Sequence, residues 1–146
     1  MKKLLIAFGF LLAACGGGGG GSGSSASNFA GRWTGDLAPT INDCNDPTVG
    51  VESVAITINQ NGTKVVGDGD SGATYEGVAT ADGLTMYKTD SSQTCSTGSV
   101  ASVTTKIDFL KGSGGKDEVA AFVTLKSHCD GSLIVCTVQY GGVMNR

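Results

Sequence analysis

His128 is the only histidine of the chain. A histidine can act as general base toward a serine or cysteine nucleophile, provided the two come within hydrogen-bond reach. No Ser or Cys stands in an obvious relation to His128, which falls beside Cys129 and the Asp130-Gly131 turn signal, so an exposed loop histidine is expected. Asp68-Gly-Asp70-Ser-Gly72 carries the alternating oxygen donors that open a calcium loop. A complete loop needs more oxygen ligands and a bidentate Glu at its last position, and Glu76 comes too early, so a polar turn is expected instead. No paired carboxylates share a strand face as glycosidase chemistry requires. Gly16 to Gly21 precedes no strand–helix unit that would cradle a phosphate. Asn61-Gly62-Thr63 fits the glycosylation pattern, yet its glycine serves a hairpin turn. Asn42-Asp43-Cys44-Asn45-Asp46-Pro47 reads as an acidic loop held by Asx turns. No catalytic residue, metal site or cofactor is expected, and the chain reads as a non-enzyme.

The elements that position these residues are strands. After residue 28 no stretch has a helical period; Thr, Ser, Val and Gly dominate, with turn signals about every 8–12 residues. The expected strands are 31–38, 53–59, 63–68, 73–80, 84–89, 101–109, 118–127 and 133–140. Val54, Ile56 and Ile58 alternate with Ser53, Thr57 and Asn59. Ala101, Val103, Thr105, Ile107 and Phe109 alternate with Ser102, Thr104, Lys106 and Asp108. Asn61-Gly62 and Asp82-Gly83 predict tight hairpins in which both central residues have positive φ. The reading is all-β: an eight-stranded antiparallel up-and-down barrel, whose closure removes the exposed edges of a long meander. A β-sandwich is the alternative.

Cys44, Cys95, Cys129 and Cys136 form an even set within the domain, without a C-x-x-C pair. Two disulfides are expected and zinc is not. Sequence leaves all three pairings open. In an up-and-down barrel the loops holding Cys44, Cys95 and Cys129 share one rim, and Cys44–Cys95 with Cys129–Cys136 is the preferred pairing.

The N-terminus has a different character. Lys2 and Lys3 precede an apolar run from Leu4 to Leu12, and Leu12-Ala13-Ala14-Cys15 leads into a glycine tract. The apolar run is shorter than the roughly 20 residues of a membrane span. It reads as a secretory signal peptide. The Cys at its end resembles the bacterial lipoprotein signal, whose lipobox reads Leu-Ala-Ala/Gly-Cys. The resemblance implies cleavage before Cys15 and lipidation of its thiol. In that family an Asp after the Cys favours retention in the inner membrane. Gly16 stands there, which implies the outer membrane, facing the periplasm or the surface. The domains are therefore expected as signal peptide 1–14, lipidated Cys and Gly/Ser linker 15–28, and barrel 29–146. The linker is expected to be a flexible coil spanning roughly 20 Å. Without Lys2 and Lys3, eight cations face thirteen acids, a charge of −5. No basic stripe exists and nucleic acid is not an expected partner; direct docking on anionic lipid is disfavoured.

Phe29-Ala-Gly-Arg-Trp-Thr-Gly-Asp36 opens the folded domain. Gly31-x-Trp33 is similar to the Gly-x-Trp signature of lipocalins and related calycin barrels, which implies that Trp33 plugs the closed end. In that family an Arg stacks on the Trp; Arg146 is expected to lie too far past the last strand for that part. The inward candidates for a ligand cavity are Val54, Ile56, Ile58, Val103, Ile107, Phe109, Val123, Leu125 and Val138. Two functions follow as expectations: a barrel binding a small apolar ligand, or an envelope-protein partner, such as a lysozyme or protease inhibited by the rim loops. A structural envelope protein is the third.

Overall fold

The computed structural model describes residues 25–94, 100–112, 114–129 and 133–146. The leader, Cys15, the glycine tract and Cys95 lie outside the described residues. The chain forms β1 (Gly31–Asn42), β2 (Glu52–Asn61), β3 (Lys64–Gly69), β4 (Thr74–Ala79), β5 (Gly83–Thr94), β6 (Val100–Lys111), β7 (Glu118–Cys129) and β8 (Leu133–Asn145). They join in sequence order into a closed barrel, every neighbouring pair antiparallel and β1 closing on β8. The expected up-and-down barrel is therefore the fold.

Several strands run further than expected. β5 continues through Asp90 to Thr94, across a bulge opposite β6; the polar run after Thr89 hides this continuation from an apolar pattern. β8 continues five residues past Tyr140, through Gly141-Gly142, where no side-chain alternation is legible. The turns differ as well. Asn61 pairs with Lys64, so the loop is Gly62-Thr63, and only Gly62 has positive φ, at 63°. At Ala81-Asp82 neither residue has positive φ; the Thr80 hydroxyl instead accepts hydrogen bonds from the amides of Asp82 and Gly83.

Parity places the last residues of β1, β3, β5 and β7 at one end. The tight turns and both described termini lie at the other. This second end is the floor. Trp33, Phe109, Leu37, Ile56, Ile58, Met86, Met144, Val65 and Val119 are fully buried, each contributing about 1.5–3 kcal/mol of apolar burial. Trp33 donates its indole N–H to the Phe29 carbonyl at 2.7 Å and meets the Phe109 ring edge-on at 5.6 Å.

Arg146 corrects its expectation. Its guanidinium lies 5.3 Å above the centre of the Trp33 ring, because β8 reaches Asn145 and delivers the next residue directly onto the floor. Arg146 donates to the Ala30 carbonyl at 2.9 Å and to Asp117 Oδ1 at 3.0 and 2.6 Å. Gly31 lies beneath it: a Cβ there would come within 2.7 Å of the Arg146 side chain, and its φ of 128° suits only glycine. The glycine of Gly-x-Trp thus makes room for the arginine.

The linker expectation also needs correction at its end. Residues 26–28 are docked on the floor. Ser27 bonds through its amide to the Thr80 carbonyl at 2.9 Å and through its hydroxyl to the Ala81 carbonyl at 2.6 Å. The Gln60 amide clasps the same segment, donating to Ser27 O at 2.9 Å and accepting from Phe29 N–H at 2.7 Å. These bonds offset the entropy that a Gly/Ser composition alone does not.

Candidate functional site

The wall at the opposite end is uneven. β3 and β4 are six residues long, whereas β5, β6 and β7 each have twelve. The barrel wall is therefore low on one side. A cavity of about 240 Å³ enters the barrel there, between the β3–β4 turn and the far wall. Its apolar surface comes from Val54 and Ile56 on β2, Ile107 on β6 and Val123 on β7, with Tyr75 on β4; Ser53, Asp70 and Ser71 border the opening. Ordinary small-molecule sites run from about 300 to 1,000 Å³, and this one falls just below that range.

The turn beside the cavity is fixed. Gly69 N–H donates to the Ala73 carbonyl at 2.8 Å and Gly72 N–H to the Gly69 carbonyl at 2.9 Å. Arg32 grips Asp70 with two bonds, 2.9 and 2.7 Å. That mutual hydrogen bond raises the Arg32 pKa and lowers that of Asp70, so both stay charged. Asp68 accepts from the Thr74 hydroxyl at 2.9 Å. The two carboxylates of the calcium-like stretch are thus turned to protein donors. Among the described residues, no three His, Cys, Asp or Glu side chains gather into a metal site.

Above the apolar wall the inward side of the barrel becomes polar. Lys88 follows Met86 on the inward face of β5, opposite buried Thr105, and its ammonium lies 3.1 Å from Asp90. Burial is the main cause that raises the Tyr75 pKa; Lys88 works against the rise and Asp90 with it. Tyr140 is raised first by burial and then by Glu52 and Asp46. Both phenols therefore remain protonated donors at neutral pH.

Of the nine expected cavity residues, Val54, Ile56, Ile107 and Val123 line the cavity. Ile58 and Phe109 are instead sealed in the core below it. Val103, Leu125 and Val138 occupy inward register positions higher on β6, β7 and β8 and are half-buried. Tyr75, Lys88 and Asp90 were not anticipated. Tyr75 alternates with Gly77 and Ala79, small residues that mute the pattern; Lys88 and Asp90 break an apolar alternation with charge.

The preferred cysteine pairing is overturned. Cys44 is bonded to Cys136, with Cα atoms 4.9 Å apart. Barrel closure is the cause: β1 pairs with β8 up to Asn42↔Val138, and Asp43 N–H donates to the Thr137 carbonyl at 2.9 Å, which sets Cys44 against Cys136. Cys129 stands opposite Leu133 on β8, out of reach of Cys136. It is itself disulfide-bonded. The loop after β1 is further held by Asn42, whose side-chain amide donates to the Asp46 carbonyl at 2.9 Å, and by Asp46, which takes the Thr48 amide and hydroxyl at 2.8 and 2.7 Å. His128 is not a loop residue but lies half-buried on β7. It borders a shallow groove on the outer wall with Thr104, Lys126 and Thr137.

No protein-family model matches the chain, and neither does a curated protein or a solved structure.

Proposed function

We propose that the protein is a lipid-anchored envelope lipoprotein whose barrel binds a small, largely apolar ligand at its open end. The cavity bounded by Val54, Ile56, Tyr75, Ile107 and Val123 is the observation that carries this reading. The floor supports it from the other side. Trp33 under Arg146 matches the arrangement that the lipocalin resemblance implies. With Ser27 docked at the closed end, a tether from Cys15 reaches the floor and leaves the mouth pointing away from the bilayer. Native mass spectrometry of the purified protein tests the ligand, with a bound small molecule expected in the gentlest spectra. A consistently bare protein that takes up no apolar probe contradicts it. The anchor has its own test: labelled palmitate should enter the protein in a diderm bacterial host and be lost in Cys15→Ala.

A second reading rests on the loop between β1 and β2. Its disulfide and its Asx bonds prepare a rigid rim, which loses little entropy when a protein partner binds. Pull-down of an envelope hydrolase, abolished when residues 43–47 are replaced by Gly and Ser, would favour that reading.

A further inference from the structure

The outer wall carries an apolar band near the floor. Leu110, Ala120 and Val143 stand at one register level across β6, β7 and β8, with their side chains outward. Leu110 is 51% exposed and Val143 48%. Val78 on β4, 55% exposed, continues the band across a shallow hollow that it shares with Gly83 and Leu110. All four lie within two residues of the floor ends of their strands. Cations edge the band. Lys64 is the register partner of Val78, Lys111 follows Leu110, and Lys116 stands in the next turn; none of the three has an ion pair among the described residues. With Arg146, this end holds four of the eight Lys and Arg left once Lys2 and Lys3 are taken from the ten. Of the thirteen acids it holds only Asp82, Asp117 and Glu118. The exposed apolar residues of the other end, Ile41 and Val51, are set instead among Asp43, Asp46 and Glu52.

We infer that this lysine-edged apolar band docks on the lipid bilayer that holds the anchor, with Val78, Leu110 and Val143 entering the headgroup boundary and Lys64, Lys111 and Lys116 meeting lipid phosphates. The place where the N-terminal chain joins the barrel selects the bilayer as the occupant. Ser25 is ten residues on from Cys15, a reach of at most roughly 36 Å, and the chain enters the barrel at the floor, where Ser27 is bonded to Thr80 and Ala81. A strand of 12 residues such as β6, tilted as in a barrel, carries the mouth about 30 Å further. Contact through the mouth would need nearly the whole reach laid along the wall, whereas contact through the band needs little of it. A tether this short also holds the band against the membrane at an effective concentration of order millimolar, so a weak surface is enough. The net charge of −5, which argues against docking on anionic lipid, averages two unlike ends. The inference rests on the lipoprotein reading of Cys15 and is independent of the cavity.

The test places the lipidated protein in phospholipid nanodiscs that carry a gadolinium-chelating headgroup and measures amide relaxation residue by residue. Enhancement should peak at Val78, Leu110, Lys111 and Val143 and be weakest at Asp46 and Val51. Leu110→Asn/Val143→Asn should lower the docking constant about tenfold. Lys111→Gln/Lys116→Gln should weaken docking more on discs containing phosphatidylglycerol than on phosphatidylcholine alone. Val51→Asn, at the other end, should leave the profile unchanged. Should the double Asn variant misfold, the profile of the native protein still decides. A peak at Asp46 and Val51, equal enhancement at both ends, or a band shielded by a second copy as protein concentration rises overturns the inference and leaves the anchor standing. Failure of Cys15 to take up labelled palmitate overturns the lipoprotein reading and this inference with it, and leaves the cavity reading intact.

Discussion

The two ends of this barrel are made by the same eight strands and behave as different materials. At the floor Trp33, Val119 and Met144 are completely buried, and the arginine above is bonded to both Ala30 and Asp117. At the mouth Val54, Tyr75, Val123 and Tyr140 are only partly buried against the core, and Lys88 and Asp90 lie on the inward face. The difference follows from strand length and side-chain volume. Large residues converge where all eight strands are present; where β3 and β4 end early, the wall drops and space remains. The lesson is a division of labour. A floor that carries the packing energy lets the other end be packed less tightly without unfolding the domain.

Substitutions can break that contrast at graded cost. Trp33→Ala should destabilise by about 3–5 kcal/mol, whereas Val123→Ala at the cavity should cost about 1 kcal/mol or less; denaturant melts of the two variants measure both. Comparable losses would show that the mouth is packed as tightly as the floor. Removing the rim brace with Cys44→Ala/Cys136→Ala should cost about 2–4 kcal/mol, and non-reducing peptide mapping of the parent should recover the Cys44–Cys136 link. Gly31→Ala forces a side chain into both a positive φ and the Arg146 stem; a loss of about 1–3 kcal/mol is expected. Adding Arg146→Ala should relieve the steric part, so the two losses should not sum.

The smallest effect concerns Tyr75. Burial raises its pKa above the ordinary 10.0, so the fold favours the protonated phenol. Its contribution is full below the pKa of an unfolded tyrosine and is lost as pH rises through the higher folded value. Tyr75→Phe should leave neutral-pH stability nearly unchanged and flatten the alkaline loss, read from melts taken through and above pH 10.

Sequence carried the architecture because alternation and turns are local signals. β2 and β6 were legible from Val54-Ile56-Ile58 and Val103-Thr105-Ile107-Phe109, and the barrel followed from the number of strands and the shortness of their links. What escaped depends on closure. Cys44–Cys136 and Arg146 over Trp33 both arise where β1 meets β8, a contact between the two ends of the domain that no local window contains. The cavity was half legible: four of the expected apolar residues border it, but Ile58 and Phe109 alternate in the same way and differ only in depth along the barrel. Depth depends on where β3 and β4 stop, which Gly69 and Asp70 decide through a turn rather than through any periodicity.

The central claim is that the mouth, and not the floor, receives a ligand, and amide chemical-shift mapping with neutral phenylpropanol tests it most directly. Shifts should concentrate at Val54, Ile56, Gly69, Tyr75, Ile107 and Val123, which line the cavity, while the amides of Trp33, Val119 and Met144 stay still. Shifts centred on the floor or the outer wall, or none at millimolar probe, would contradict it.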